Sequence, residues 1–364
     1  MKTIDIVLSL TSPLHVAYPD NVDTIKDTNK KISRTTKVKV YADGDIHQVP
    51  IYPANGFRGG LRRTAMRRLV KQFSANEGAV PGDLILGLSC GASSGSPDQT
   101  ALSIEEILRA RANVYMGLLG GGARLHSSAY RVSDMTPIIE LTTRLGMVPG
   151  YCKQLVQARS FNNEQYTNTR DLVSLRTSIR VDDLFRVTDP EFLLSNVADP
   201  SATVTSHQQA VMANWEGRKT GDEGKSDVSN VMTIETVAPG TPFHFSIDLD
   251  HGVTEAQIGL LLLGLSDIFQ ENSFGGWVRC GFGKVRVEQI RMNLDDEEFI
   301  WDQLQSDNGR FALPPEATPY VEAANEAIGS LRIADMTPFF EDFSADAKAK
   351  KKQEAKAKKT EASA

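Results

Sequence analysis

The chain is poor in the residues that would place it outside a reducing compartment or in a membrane. Its 364 residues hold three cysteines, Cys90, Cys152 and Cys280, odd in number and far apart. That spacing excludes a disulfide framework and a paired-cysteine zinc site, and it points to a cytoplasmic protein. The longest apolar run, Ile258 to Leu265, is far shorter than the roughly 20 residues a membrane-spanning helix needs. Residues 1–12 lack a basic segment followed by an apolar stretch and read as a strand, not a signal peptide. There is no H-E-x-x-H or G-x-S-x-G arrangement, and the six histidines are scattered. Gly221 to Ser226 superficially matches the end of a phosphate-binding P-loop, but the required first glycine is Lys219. No cofactor or metal is expected.

Charge is distributed by segment. The chain as a whole carries −6, yet residues 1–75 hold 13 Lys/Arg against 6 Asp/Glu, and residues 287–342 hold 3 against 13. A basic end and an acidic end suit a polyanion-binding surface in one place and a head-to-tail contact between copies in another.

The basic end centres on Val49 to Lys71. A proline-bounded extended segment runs to Asn55, a residue type suited to capping a helix. Leu61, Ala65, Leu69 and Phe73 then recur every four residues, which predicts a helix to about Ser74. Gly59 and Gly60 in its first turns would bring backbone N–H groups close to an anion at the positive helix end. On a helical projection Arg63, Arg67, Arg68 and Lys71 oppose the apolar stripe, and Arg68 and Lys71 read as a solvated face. Arg58 and Arg62 fall inside the apolar arc, where a charge needs a partner. A polyphosphate lying across the helix start would supply one.

Elsewhere the pattern is alternately strand and turn. Lys2 to Leu10 alternates as a strand and ends in the turn Thr11 to His15. Residues 17–35 read as an exposed loop, and Val38 to Tyr41 with His47 to Ile51 as a hairpin around Asp43-Gly44. Ser103 to Leu119 reads as one helix opened by a Ser103–Glu106 capping box. Ser174 to Phe185 alternates like a strand, and residues 195–230 form a long polar stretch expected to be an extended arm. Val231 to Val237 and Phe243 to Leu249 are strands, Thr254 caps a helix to Phe269, and a glycine-rich loop from Asn272 to Lys284 precedes the strand Val285 to Ile290. Without the insert, the order is β-α-β-β-α-β, an α+β, RRM-like (ferredoxin-like) topology. This divides the chain into a discontinuous palm (1–74 and 228–345), an inserted helical region (75–194), an arm (195–227) and a Lys/Ala-rich tail (346–364).

Four elements occur in a set order: Ser12-Pro-Leu-His15 after the first strand, Pro53-Ala-Asn-Gly-Phe-Arg-Gly-Gly-Leu-Arg62, Glu235 to Phe243, and Gly275 to Gly283. Together they resemble the RAMP superfamily of CRISPR proteins, and among these the backbone subunit of type IV systems. The resemblance covers roughly residues 1–74 and 228–292. It implies a non-catalytic protein that polymerises along CRISPR guide RNA in an effector complex with other subunits. That filament presents the guide for pairing with target DNA or RNA. It also implies a β-hairpin thumb at residues 195–227. On this basis the expected RNA contacts are Ser12, His15, Asn55, Arg58, Arg62, Arg63 and Arg67, thumb residues Arg218, Lys219 and Lys225, and Trp277, Arg279 and Lys284 with the N–H groups of the glycine-rich loop. Two enzymatic alternatives stand beside it: His15 as the general base of a guide-processing nuclease, and Asp20, Asp23 or Asp27 as a target-cleaving loop carboxylate. A third is an RNA-coating filament protein with no guide.

Overall fold

The computed structural model describes residues 2–25, 30–91, 102–158, 172–180, 198–199, 201–202, 205, 230–295, 297–302, 304–306 and 309–340. Strand β1 (Lys2–Leu10) is the centre of the main sheet. Its alternation sends Ile4, Ile6, Leu8 and Leu10 to one face, where all are buried. Antiparallel neighbours flank it. β10 (Pro242–Leu249) pairs from Lys2↔Leu249 to Ser9↔Pro242, and β11 (Val285–Leu294) pairs with a register shift between Val7 and Leu8. β12 (Glu297–Trp301) extends one edge and β6 (Tyr130–Val132) the other, with β7 (Thr136–Pro137) also on β10. The fold is α+β.

The buried face of this sheet is covered by α1 (Ala54–Glu77) and α7 (Glu255–Glu271). Phe57, Leu61, Ala65, Leu69 and Phe73 of α1 are buried, with the Phe57 ring 4.8 Å from that of Phe245 on β10. Each such side chain contributes about 2 kcal/mol on leaving water. At Gly264 a Cβ would lie 2.3 Å from Leu61 Cδ1, so α1 and α7 approach closely only because a glycine stands there. Helices α2 (Gly82–Cys90), α3 (Ile104–Ala112), α4 (Val114–Leu119), α8 (Thr318–Ser330) and α9 (Ile333–Phe340) add to the same hydrophobic core. The short α5 (Glu140–Arg144) and α6 (Gly150–Ala158) carry the chain over the opposite sheet face, where Cys152 packs against Val7.

Several expectations meet a different outcome. Residues 17–35 contain strands β2 (Ala17–Ile25) and β3 (Lys30–Thr35), not a loop. The strand at 231–237 exists as β9 (Asn230–Val237), but it lies in a second sheet, β2-β3-β9-β8, with β8 (Val173–Arg180). Its would-be place beside β10 is taken by β6 and β7. The turn after β9 is pulled elsewhere: Ala238 N donates to Leu172 O (2.9 Å) and Gly240 N to Leu10 O (2.7 Å). The Ser103–Glu106 capping box is present, but the helix breaks at Asn113, whose Oδ1 accepts from Tyr115 N and Met116 N and starts α4 afresh. The hairpin of β4 (Lys37–Ala42) and β5 (Asp45–Pro50) forms as expected, with both turn residues left-handed (Asp43 φ 54°, Gly44 φ 82°). Arg218, Lys219 and Lys225 of the expected thumb, the tail, and Asp27 lie outside the described residues. Asp20 and Asp23 fall on β2.

Candidate nucleic-acid interface

Two chain segments that are far apart in sequence form one ridge. The turn after β1 is stitched to the glycine-rich loop between α7 and β11 by three main-chain bonds and one to a side chain. Thr11 N donates to Lys284 O (2.8 Å), Gly276 N to His15 O (2.8 Å), Gly283 N to Pro13 O (2.9 Å), and Lys284 N to Ser12 Oγ (2.8 Å). Asn272 closes the loop base, accepting from Val285 N (2.6 Å) and donating to Val285 O (2.9 Å). Gly275 and Gly283 both sit at φ 74°, and a Cβ on them would lie 2.4 Å from His15 O and 1.8 Å from Phe274 O. The glycines therefore let the loop fold tightly on the turn. The expected free N–H groups are largely spent, since those of Gly276, Gly281 and Gly283 already bond to carbonyls.

What the loop presents outward is side chains. Arg279 and Lys284 are exposed and Trp277 is half-buried. Trp277 occupies left-handed space (φ 61°), a conformation that is costly for a bulky residue and persists where surrounding structure enforces it. Cys280 N donates to Trp277 O at 2.8 Å and closes the turn that Trp277 opens. Arg176 on β8 lays its guanidinium 5.2 Å from the Phe282 ring centre, joining the second sheet to the loop.

Helix α1 borders the same ridge. A cleft of about 90 Å³ between them is lined by Tyr52, Gly56, Gly60, Arg63, Ser273 and Phe274. Tyr52 packs edge-on against Phe274 (5.7 Å), and its hydroxyl pKa is raised by burial, an effect opposed by nearby Arg63 and by the Gly275 backbone.

The six basic residues Arg58, Arg62, Arg63, Arg67, Arg68 and Lys71 separate sharply by environment. Arg62 donates to Gly120 O (3.1 Å) and Leu119 O (2.5 Å), satisfying the C-terminal carbonyls of α4. Its partner is protein, not phosphate. Arg58 donates to Ser128 Oγ (3.2 Å) and lies over the Tyr130 ring at 5.4 Å. Arg67 pairs with Glu271, and Arg68, expected to be solvated, forms two 2.6 Å bonds with Asp267, so both fasten α1 to α7. Arg63 and Lys71 are exposed and have no acidic partner among the described residues, and the same holds for Arg279 and Lys284.

Other expected contacts are relocated. Pro53, not Asn55, is the N-cap of α1, and the carboxylate of Asp134 accepts from Ala54 N (2.8 Å). That acid sits where an anion was expected. Asn55 is exposed in the first turn. His15 is 1% exposed, with Nδ1 2.7 Å from Glu235 O and Nε2 3.2 Å from Ser33 Oγ. Both ring nitrogens are engaged and the ring is enclosed, so it ties strands together. Beside it lies Glu235, which the sequence reading named only as the start of the Glu235 to Phe243 element. The Glu235 carboxylate accepts from Lys37 Nζ (2.8 Å), Arg34 Nη1 (3.2 Å) and Thr35 N (3.1 Å), and it anchors β3 and β4 on β9. Tyr52, Ser273 and Arg176 were also missed; Tyr52 stands within the basic stretch Val49 to Lys71 itself.

Among the described residues no three His, Cys, Asp or Glu side chains gather as metal ligands, and no helix is long and apolar enough to cross a membrane. The thiols differ in access. Cys90 and Cys280 are exposed, whereas Cys152 is buried, and burial pushes its thiol up to about 12. Alkylation of the native protein at pH 8 is expected to modify Cys90 and Cys280 and spare Cys152 until denaturant is added, as read by peptide mass mapping.

No family model and no curated protein matches the chain. Among solved structures, a chain of a type IV-B CRISPR complex aligns over 81% of this chain and 92% of its own length, at 17% sequence identity and a TM-score of 0.44.

Proposed function

We propose that the chain is a non-catalytic, RNA-coating subunit, the backbone of a CRISPR effector complex of the RAMP superfamily and most like that of type IV systems. The observation that carries the RNA-binding part is the set of exposed cations without acidic partners among the described residues, Arg63 on α1 and Arg279 and Lys284 on the glycine-rich loop that also carries Trp277. Side-chain cations beside an aromatic ring suit single-stranded RNA, whose phosphates supply affinity and whose bases stack without regard to sequence. The ordered resemblance of Ser12 to His15, Pro53 to Arg62, Glu235 to Phe243 and Gly275 to Gly283 carries the guide-backbone part. In this reading β11-β1-β10 with α1 and α7 on one face is the RRM-like palm, and residues 195–227 are the thumb. The basic and acidic ends of neighbouring copies meet head to tail along the guide.

The test is the nucleic acid that accompanies the protein from its native cell. Stripped of protein and sequenced, it is expected to be RNA of defined length with a repeat-derived end. RNA of random length and sequence would favour a guide-independent coat, and the absence of RNA would remove the proposal.

A further inference from the structure

A second cleft lies at the far end of the main sheet, and it is the largest of the three described. It measures about 300 Å³, against about 90 and 110 Å³ for the others. That volume is at the lower end of what admits a small ligand. It sits beyond the Leu249 end of β10, whereas the glycine-rich loop lies at the Pro242 end, so the eight residues of β10 separate the two by about 25 Å.

Its floor is the buried side chain of Gln257. The amide nitrogen donates to Arg111 O (2.9 Å) and the amide oxygen accepts from Thr254 N (3.1 Å). A Cβ at position 117 would lie 2.2 Å from that nitrogen, so Gly117 is what allows the floor to seat. The wall is polar and of one leaning. Arg111 is exposed with no acidic partner among the described residues, and exposed Ser127 and His251 share the same lining. Ser128 is already used, donating to Tyr130 O and accepting from Arg58. The lone acid of the lining, Asp250, has the Arg131 guanidinium 3.7 Å away. A guanidinium with hydroxyl and imidazole donors suits a phosphate. A carboxylate in the same lining, Asp250, suits the hydroxyls of a ribose.

We infer that this cleft binds a nucleoside 5′-phosphate through Arg111, Ser127 and His251, with Asp250 accepting from the sugar. The chemistry is shared by a free mononucleotide and by the 5′-phosphorylated end of an RNA strand.

Titration calorimetry with AMP on the whole protein is expected to give saturable one-site binding. Arg111→Ala is expected to weaken it at least 10-fold. Gly252→Leu, at a position with no atom within 4 Å of an added Cβ and no positive φ, is expected to do the same by filling the cleft. A 5′-phosphorylated short RNA that outbinds its 5′-hydroxyl form, with the difference lost in Arg111→Ala, assigns the site to an RNA end; AMP binding without that difference assigns it to a free nucleotide. Absence of saturable AMP binding, or AMP binding unmoved by both variants, overturns the inference. Removing Arg63, Arg279 and Lys284 together leaves AMP binding intact, so failure of the RNA face and failure of this cleft are read separately.

Discussion

Replacing Arg63, Arg279 and Lys284 together by alanine is expected to weaken binding of single-stranded RNA of any sequence by roughly 100-fold near 0.1 M salt. The slope of log affinity against log salt is expected to flatten by about 2, since each single-strand phosphate contact contributes about 0.7. The reason is environmental. All three side chains are exposed and hold no acidic partner among the described residues, so their cationic heads are available to phosphate and cost the fold little when removed. The glycine-loop N–H groups cannot compensate, because those of Gly276, Gly281 and Gly283 are engaged with carbonyls. Thermal unfolding measured in parallel is expected to stay within a degree or two of the parent. Affinity that falls for one RNA sequence and not another would point to base reading and contradict the phosphate role.

The second large effect comes from the residue next door. Arg62→Ala is expected to destabilise the protein by about 3 kcal/mol, because it deletes two hydrogen bonds from a charged donor. It also strands the last carbonyls of α4 at Leu119 and Gly120 in a partly buried place. The guanidinium packs over Gly91 as well, where a Cβ would stand 2.7 Å from Arg62 Cζ, so its removal opens a void. Arg62→Lys is expected to recover only part of the loss, since an ammonium cannot span both carbonyls with a planar fork. The salt slope of RNA binding by the folded fraction is expected to be unchanged. Arg62 and Arg63 thus have opposite signatures, stability for one and affinity for the other. Denaturant melts and anisotropy titrations separate them.

That contrast also marks how far the sequence could be read. The helical projection correctly put Arg62 in an apolar arc and demanded a partner for it. A projection contains only α1, so it could not show that α4 ends beside it with unsatisfied carbonyls. Local signals read well because their physics is local: the alternation in β1 and β10, the Asp43-Gly44 hairpin turn, and the Thr254 cap that opens α7. Signals that depend on distant segments did not. Asp134 reaches the start of α1 from 80 residues away, and Glu235 gathers Arg34, Lys37 and Thr35 across about 200. The sheet that receives residues 231–237 was equally illegible, because β6 and β7 are too short to announce themselves yet occupy the edge of β10. Asn113 was the available clue that Ser103 to Leu119 is two helices. A capping-type residue in mid-pattern, one residue before an apolar run, is a helix start.

The central claim is that the glycine-rich loop and α1 form one RNA-facing surface, and Cys280 reports on it directly. It is exposed on that loop, between Arg279 and Lys284, while Cys90 is exposed at the end of α2 and Cys152 is buried. The measurement is the rate of alkylation of each thiol with and without saturating single-stranded RNA. The account predicts that RNA slows modification of Cys280 by about tenfold or more, leaves Cys90 unchanged, and leaves Cys152 unreactive throughout. RNA that binds tightly yet leaves Cys280 as reactive as before would place the nucleic acid elsewhere on the molecule and contradict the account.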